Sequence, residues 1–346
     1  MKTLFTIQKY IGCFAFILSC ASVSAFQSDS IVLRNNGNLR SASAVKNHLW
    51  VSGANGSIAR IALKKGKALE TKEYTNTACK NCDYRGIHAW DSLNAIAISS
   101  GMPCVIIKTK DGGKSWQKVF EQTDSAWFLD AIKFTKDGKG YVLADPINGA
   151  IPILTTTNFG TTWKVKYWRY PYRHAPSFYA ASNSSLGIFN NNLMVCGGLN
   201  NAPFLGQLTE TNDSFFLISE FIGIPKNCLD KKENYFGYYG MCVSKNTIYT
   251  CGGSFNCPIE GQFAQIFQLK NDIFWLFDTI PLKGYYSGVH SQENKLFYAG
   301  TNGISVFDNK VLASQDSQVF NAVVQFDKSR IAWVGAKGTI RITKIK

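Results

Sequence analysis

The chain has 346 residues and a formal charge of +14. Past an amino-terminal leader, about 320 residues remain, enough for one large domain or two ordinary ones. The positive charge is spread over scattered lysines, with no dense block beyond Lys64-Lys65-Gly66-Lys67. That distribution argues against nucleic acid and for solubility plus attraction to anionic partners: envelope lipid, an acidic glycan or an acidic protein surface.

The first 25 residues read as an export signal. Lys2 and Lys9 give a positive start, Ile11 to Leu18 is an apolar run, and Val23-Ser24-Ala25 fits a small-residue cleavage site. The apolar run is too short to span a bilayer, and nothing later is long and apolar enough to be a membrane helix. Cys20 offers a lipoprotein processing site, but Leu18 in Ile17-Leu18-Ser19 fits that pattern poorly. The expectation is a periplasmic or secreted protein, with residues 26–346 forming one domain.

A repeat runs through that domain. Seven times a bulky residue is followed by a polar one and then a small one: Leu39-Arg40-Ser41, Tyr84-Arg85-Gly86, Leu129-Asp130-Ala131, Phe178-Tyr179-Ala180, Tyr238-Tyr239-Gly240, Tyr286-Ser287-Gly288 and Phe320-Asn321-Ala322. Periods of this size mark solenoids or propellers. Each copy opens a strand-like run and is followed by a second strand ending in a small-residue bend, such as Leu49–Gly53 or Leu296–Gly300. A third strand, a tight turn and a fourth strand complete the unit. The turns, among them Asp111-Gly112-Gly113, Asn158-Phe159-Gly160, Asn212-Asp213 and Asp308-Asn309, use hairpin chemistry. Four antiparallel strands repeated seven times predict an all-β, seven-bladed propeller. The last unit, Val319–Phe326, Arg330–Val334 and Thr339–Ile345, ends one strand short. Ile31-Val32-Leu33-Arg34 precedes the first unit and is expected to supply the missing strand, closing the ring. In this architecture the small residue of each tripeptide faces crowding at the axis, and the polar residue sits at the channel mouth.

Thr109-Lys110-Asp111-Gly112-Gly113-Lys114-Ser115-Trp116 has the form of an Asp box. Asp111 accepts turn N–H groups, Gly113 permits positive φ and Trp116 packs back across the hairpin. Thr156 to Trp163 is a second copy with Asn158 in place of the aspartate. Both are read as structural.

Several segments together resemble the propeller family of the photosystem II stability and assembly factor. Tyr84-Arg85-Gly86-Ile87-His88-Ala89 is similar to its aromatic-Arg-Gly strand and Phe128-Leu129-Asp130-Ala131 to its Asp-Ala strand. Ala144-Asp145-Pro146-Ile147-Asn148-Gly149 is similar to its Ser-Asp-Pro-x-x-Gly loop. Tyr285-Tyr286-Ser287-Gly288-Val289 and Trp333-Val334-Gly335-Ala336-Lys337-Gly338 match later segments. The resemblance spans nearly the whole domain and is strongest over residues 84–166. It implies a non-catalytic, seven-bladed propeller that binds a protein during assembly. This chain has Tyr286 where the family carries an arginine and lacks the later Asp boxes, so the partner does not carry over.

Arg40, Arg85, Asp130, Asp145, Tyr179, Tyr239 and Tyr286 are therefore the candidates for a partner or ligand site. A convergent arginine and two carboxylates suit a polar ligand or a basic peptide end; the alternative is a structural ion pair. A glycan-binding or sialidase-type propeller is the second reading. It lacks the Arg-Ile-Pro segment of sialidases and would require acidic groups converging in an open channel mouth, whereas a plugged or basic mouth favours protein binding. No cofactor or metal is expected, and the protein is read as a monomer. Eight cysteines follow the leader. Cys79-x-x-Cys82 with His88 and Cys104 offers possible zinc ligands, but an exported protein favours disulfides. The expected bridges run from Cys79 or Cys82 to Cys104, and from Cys228 to Cys257.

Overall fold

The computed structural model describes residues 28–345 except 65–66, 75–77, 171–173, 201, 210–213, 219–234, 258–263, 272 and 283. The leader, Cys20 and Cys228 lie outside the described residues, as does the Asn212-Asp213 turn.

Seven four-stranded antiparallel sheets form the ring. Their innermost strands are Leu39–Val45, Asp83–Ala89, Leu129–Phe134, Leu186–Phe189, Gly237–Ser244, Tyr286–Gln292 and Ala322–Asp327, which define blades 1 to 7. The middle strands are covered on both faces by neighbouring blades, and their sequences are correspondingly continuous in apolar character. Ala95–Ser100 and Cys104–Thr109 of blade 2 are buried at every position. The outer strand of the same blade, Gln117–Gln122, has one blade edge in solvent and carries Gln, Lys and Glu. Successive cores lie between blades, as where Leu39, Val51 and Ile61 of blade 1 meet Ala332, Val334 and Ile340 of blade 7.

The ring closes as expected. Ser28–Val32 pairs antiparallel with Thr339–Lys344, with Ile31 opposite Ile340. The Leu33 N–H then donates to the Gly338 carbonyl, and its side chain enters the core between blades 7 and 1.

In the hairpin of residues 109–116, Asp111 accepts from the Ser115 N–H at 3.0 Å and the Thr109 hydroxyl at 2.8 Å. Bonds from the Ser115 hydroxyl and N–H hold its carboxyl down to about 2. The Gly113 N–H donates to the Thr109 hydroxyl at a φ of +87°. Trp116 packs edge-on against Trp50 of blade 1, 6.1 Å between ring centres, and so fastens blade 2 to blade 1.

The cysteine pairing differs from expectation. Cys79 and Cys82 bond to each other, their Cα atoms 5.5 Å apart, and Cys104 is a buried free thiol that donates to the Trp127 carbonyl. The cause is placement: Cys104 begins the third strand of blade 2 and faces blade 3, whereas the Cys79–Cys82 turn sits over the blade 1 side. Cys257 is in a disulfide.

Candidate functional site

The polar residue of the tripeptide owes its position to a β-bulge. In blade 1 Leu39 pairs with Gly53 and Ser41 with Ser52, so Arg40 is left out of the ladder. Arg85, Asp130, Tyr239 and Ser287 are skipped in the same way in blades 2, 3, 5 and 6. A bulge re-aims one side chain without interrupting the strand, which turns these residues toward the axis. The small residue beside each bulge faces the crowding expected there. A Cβ on Gly240 would lie 2.5 Å from the Ser287 carbonyl of blade 6, and one on Gly86 would lie 2.9 Å from the Asn183 side chain.

Blade 4 departs from the pattern. After Phe178-Tyr179-Ala180 the chain does not enter the inner strand, which starts only at Leu186. Ser177 still bridges Gly198, and the Cys196 N–H donates to Ser185. The residues between them cross the axis. Asn183, at a φ of +59°, accepts from the Ile132 N–H of blade 3 at 2.8 Å and donates to the Ile87 carbonyl of blade 2 at 3.4 Å. The Ser182 hydroxyl donates to the Ser287 carbonyl of blade 6. The Ser184 carbonyl accepts from the Met241 N–H of blade 5 at 2.9 Å. One short segment thus bonds four inner strands and plugs the channel.

Above the plug lies a cavity of about 610 Å³. Arg40, Arg85, Asp145, Tyr179 and Tyr239 all line it, and Ala180 and Ala181 of the plug segment contribute to its wall. Tyr179 and Tyr239 stack with ring centres 3.9 Å apart and planes 5° from parallel, and Tyr285 meets Tyr239 edge-on at 4.6 Å. Tyr235 and Phe255 stack at 5.3 Å on the rim and are 39% and 49% exposed.

The charges are arranged differently from the expected convergence. Arg85 pairs at 2.7 Å with Asp83 of its own strand and lies over the Phe128 ring. Arg40 has its Nε buried without a hydrogen-bond partner. Burial, and then the neighbouring Arg85, lowers its affinity for its proton. Asp130 does not reach the mouth: it is fully buried, and neither carboxyl oxygen has a hydrogen-bond partner. Burial, and then Asp145, pushes its pKa well above the usual carboxylate range. Asp145 accepts from the Phe178 N–H at 3.1 Å and is raised by burial to about 6.

Tyr286 is not a mouth residue. It is the bulky member of its tripeptide, 1% exposed in the core of blades 5 and 6, with its hydroxyl on Ser305. Tyr285, one residue earlier, holds the place on the cavity wall. Of the remaining second positions, Ser287 is buried and donates to the Asn321 carbonyl, whereas Asn321 lines the cavity and donates to Leu39, tying blade 7 to blade 1.

Sequence reasoning missed the plug, Tyr235, Tyr285 and Phe255. The plug had a signal. Fifteen residues separate Phe178 from Leu193, the start of the next strand-like run, against nine to eleven for the corresponding interval in the other six copies. Among the described residues no group of three or more His, Cys, Asp or Glu is placed to hold a metal, and no helix is long and apolar enough to cross a membrane.

No protein-family model matches the chain, and no curated protein matches it. Solved structures do. YCF48 bound to a D1 peptide is similar at 12% identity and a TM-score of 0.60, over 92% of this chain and 97% of that one. YCF48 from Cyanidioschyzon merolae is similar at 15% identity and a TM-score of 0.62, over 92% and 99%. The WD40 propeller domain of Doa1 aligns at 10% identity and a TM-score of 0.64, over 93% and 97%. At these identities the likeness shows the fold alone.

Proposed function

We propose that this protein is an exported, non-catalytic propeller that holds a segment of a protein partner in the mouth above the plug, as an assembly or stability factor does. The observation that carries the reading is the closed channel. Four inner strands are tied together beneath the cavity, so whatever binds there rests on a rigid floor rather than passing through. The walls suit a polypeptide: two arginines for acidic or carbonyl groups, and aromatic faces that bury area with little loss of side-chain freedom. A YCF48 structure that also has this fold was solved with a D1 peptide, which supports the class of ligand without naming the one used here. The hairpins at 109–116 and 156–163 are read as Asp boxes that brace the blades and take no part in binding. Hydrolysis of a glycan is the weaker reading. Asp145 is the one carboxylate among the described residues lining the cavity; Asp130 is buried, and Asp83 is held in an ion pair by Arg85.

A photo-cross-linking residue at Tyr235, on the rim, tests the proposal in the native envelope. A polypeptide partner should be captured, and Arg85→Ala should reduce its yield about tenfold or more, the effect of losing a charged hydrogen-bond donor. Capture of glycan alone, or capture of a polypeptide indifferent to Arg85 and to Arg40→Ala, would overturn it.

A further inference from the structure

The outer rim of the ring carries a second surface with different chemistry. Blades 1 to 3 defend their outer strands with charge: Glu70 and Lys72, Lys118 and Glu121, and Lys164, Lys166 and Arg169. That is how exposed sheet edges usually avoid association. Blade 5 does not. Its outer strand, Ile273–Thr279, reads IFWLFDT, with Ile273, Trp275 and Phe277 each more than half exposed. The outer strand of blade 6, Val311–Asp316, adds Val311 at 70% and Leu312 at 50%. Lys310 joins the two strands, pairing with Asp278 and lying 4.7 Å from the Phe277 ring centre. The apolar side chains therefore form one continuous patch.

Lysines border this patch on one face of the ring. Lys245 occupies the hairpin between the first two strands of blade 5, and Lys270 ends its third strand; both are exposed. The Leu269 N–H donates to the Asn246 carbonyl, so these two lysines lie on the same face, the one opposite the channel mouth. The neighbouring acids Asp278 and Asp308 are each paired, with Lys310 and Lys295, while Glu293 is exposed in the corresponding hairpin of blade 6 and Asp272 follows Lys270 in the sequence, so the local charge is close to balanced. The whole chain carries +14, which supplies a long-range attraction to an anionic surface.

We propose that this edge of blades 5 and 6 docks on the surface of an anionic lipid bilayer. Trp and Phe are the side chains that settle at the headgroup boundary, and lysines beside them reach the anionic headgroups with their stems lying on apolar groups. The apolar patch supplies depth, and the chain's net positive charge supplies selectivity for anionic lipid. Docked in this way, the ring stands on its rim and leaves the mouth open to partners.

The full chain, its amino terminus defined by intact mass, is titrated with vesicles of equimolar phosphatidylglycerol and phosphatidylcholine, and with phosphatidylcholine alone. Binding is expected to the anionic vesicles. Trp275→Ser/Phe277→Ser should weaken it by about tenfold or more, whereas Tyr167→Ser, on the exposed outer strand of blade 3, should not. Brominated phosphatidylglycerol should quench a component of the tryptophan fluorescence that disappears in Trp275→Phe. This second readout reports on the patch even where other parts of the chain touch lipid. Equal quenching in Trp275→Phe overturns the proposal. So does a concentration-dependent dimer that the double variant abolishes, which would assign the patch to a second copy.

Discussion

Replacing Asn183 with alanine removes the centre of the plug. The Asn183 side chain is the acceptor for the buried Ile132 N–H, at 2.8 Å, and a donor to the Ile87 carbonyl. An unpaired buried N–H costs about 1–3 kcal/mol. The backbone adds a second contribution, because Asn183 has a φ of +59°, which asparagine tolerates and which costs alanine roughly 1 kcal/mol or more. Asn183→Ala is thus expected to lose about 2–4 kcal/mol in urea unfolding, with little change in the denaturant slope. Asn183→Gly separates the two causes: it accepts the positive φ and loses only the hydrogen bonds, so it should fall between the wild type and the alanine variant. Two results would refute this account of the plug. One is both variants lying within about 0.5 kcal/mol of the wild type, the scatter of ordinary surface substitutions. The other is glycine being no better than alanine.

The buried acids predict the pH profile. Asp145 has its pKa raised to about 6 and Asp130 is raised well above the usual value, so the folded state holds protons that the unfolded chain releases near pH 4. These two acids therefore contribute a loss of stability as pH climbs from about 4 past 6, while His88 and His290, lowered by burial to about 4, contribute a gain up to about 6.5. Asp130→Asn removes part of the loss, so its midpoint should rise relative to the wild type with pH; melting curves parallel to the wild type across pH 4–8 would contradict this. Closure predicts the effect of the first described strand. Deleting residues 28–33 strips the pairing from Thr339–Lys344 and the buried Leu33 side chain, which should lower the melting midpoint by about 5–10 °C; an unchanged midpoint would mean that blade 7 is complete without it.

Much of the ring was legible because its causes are local. Gly and Asn at hairpin turns and continuous apolar middle strands recur around the ring, the small residue beside a bulge recurs in blades 1, 2, 3, 5 and 6, and closure followed from one strand missing and one to spare. The site was legible only in part, because its residues are placed by long-range events. A bulge that lifts Arg40 and Arg85 to the mouth leaves Asp130 in the core, where the charge environment differs although the tripeptide does not. Tyr286 and Tyr285 are adjacent and point to opposite fates, and a register uncertainty of one residue exchanges them. The Cys79–Cys82 bridge escaped reading because cysteine spacing alone does not indicate which blade face a thiol meets.

The bulges have a consequence for how such a protein changes. A residue paired in the ladder is answerable to its partner across the strand, and a residue packed between blades to the shape of its neighbours. Positions 40, 85 and 239 are free of the first constraint: the ladder closes around them through the residues on each side. The ring can therefore be held constant while the mouth is rewritten one side chain at a time. Arginine at 40 and 85 and tyrosine at 239, at equivalent points of one wheel, are side chains that the ladder did not select.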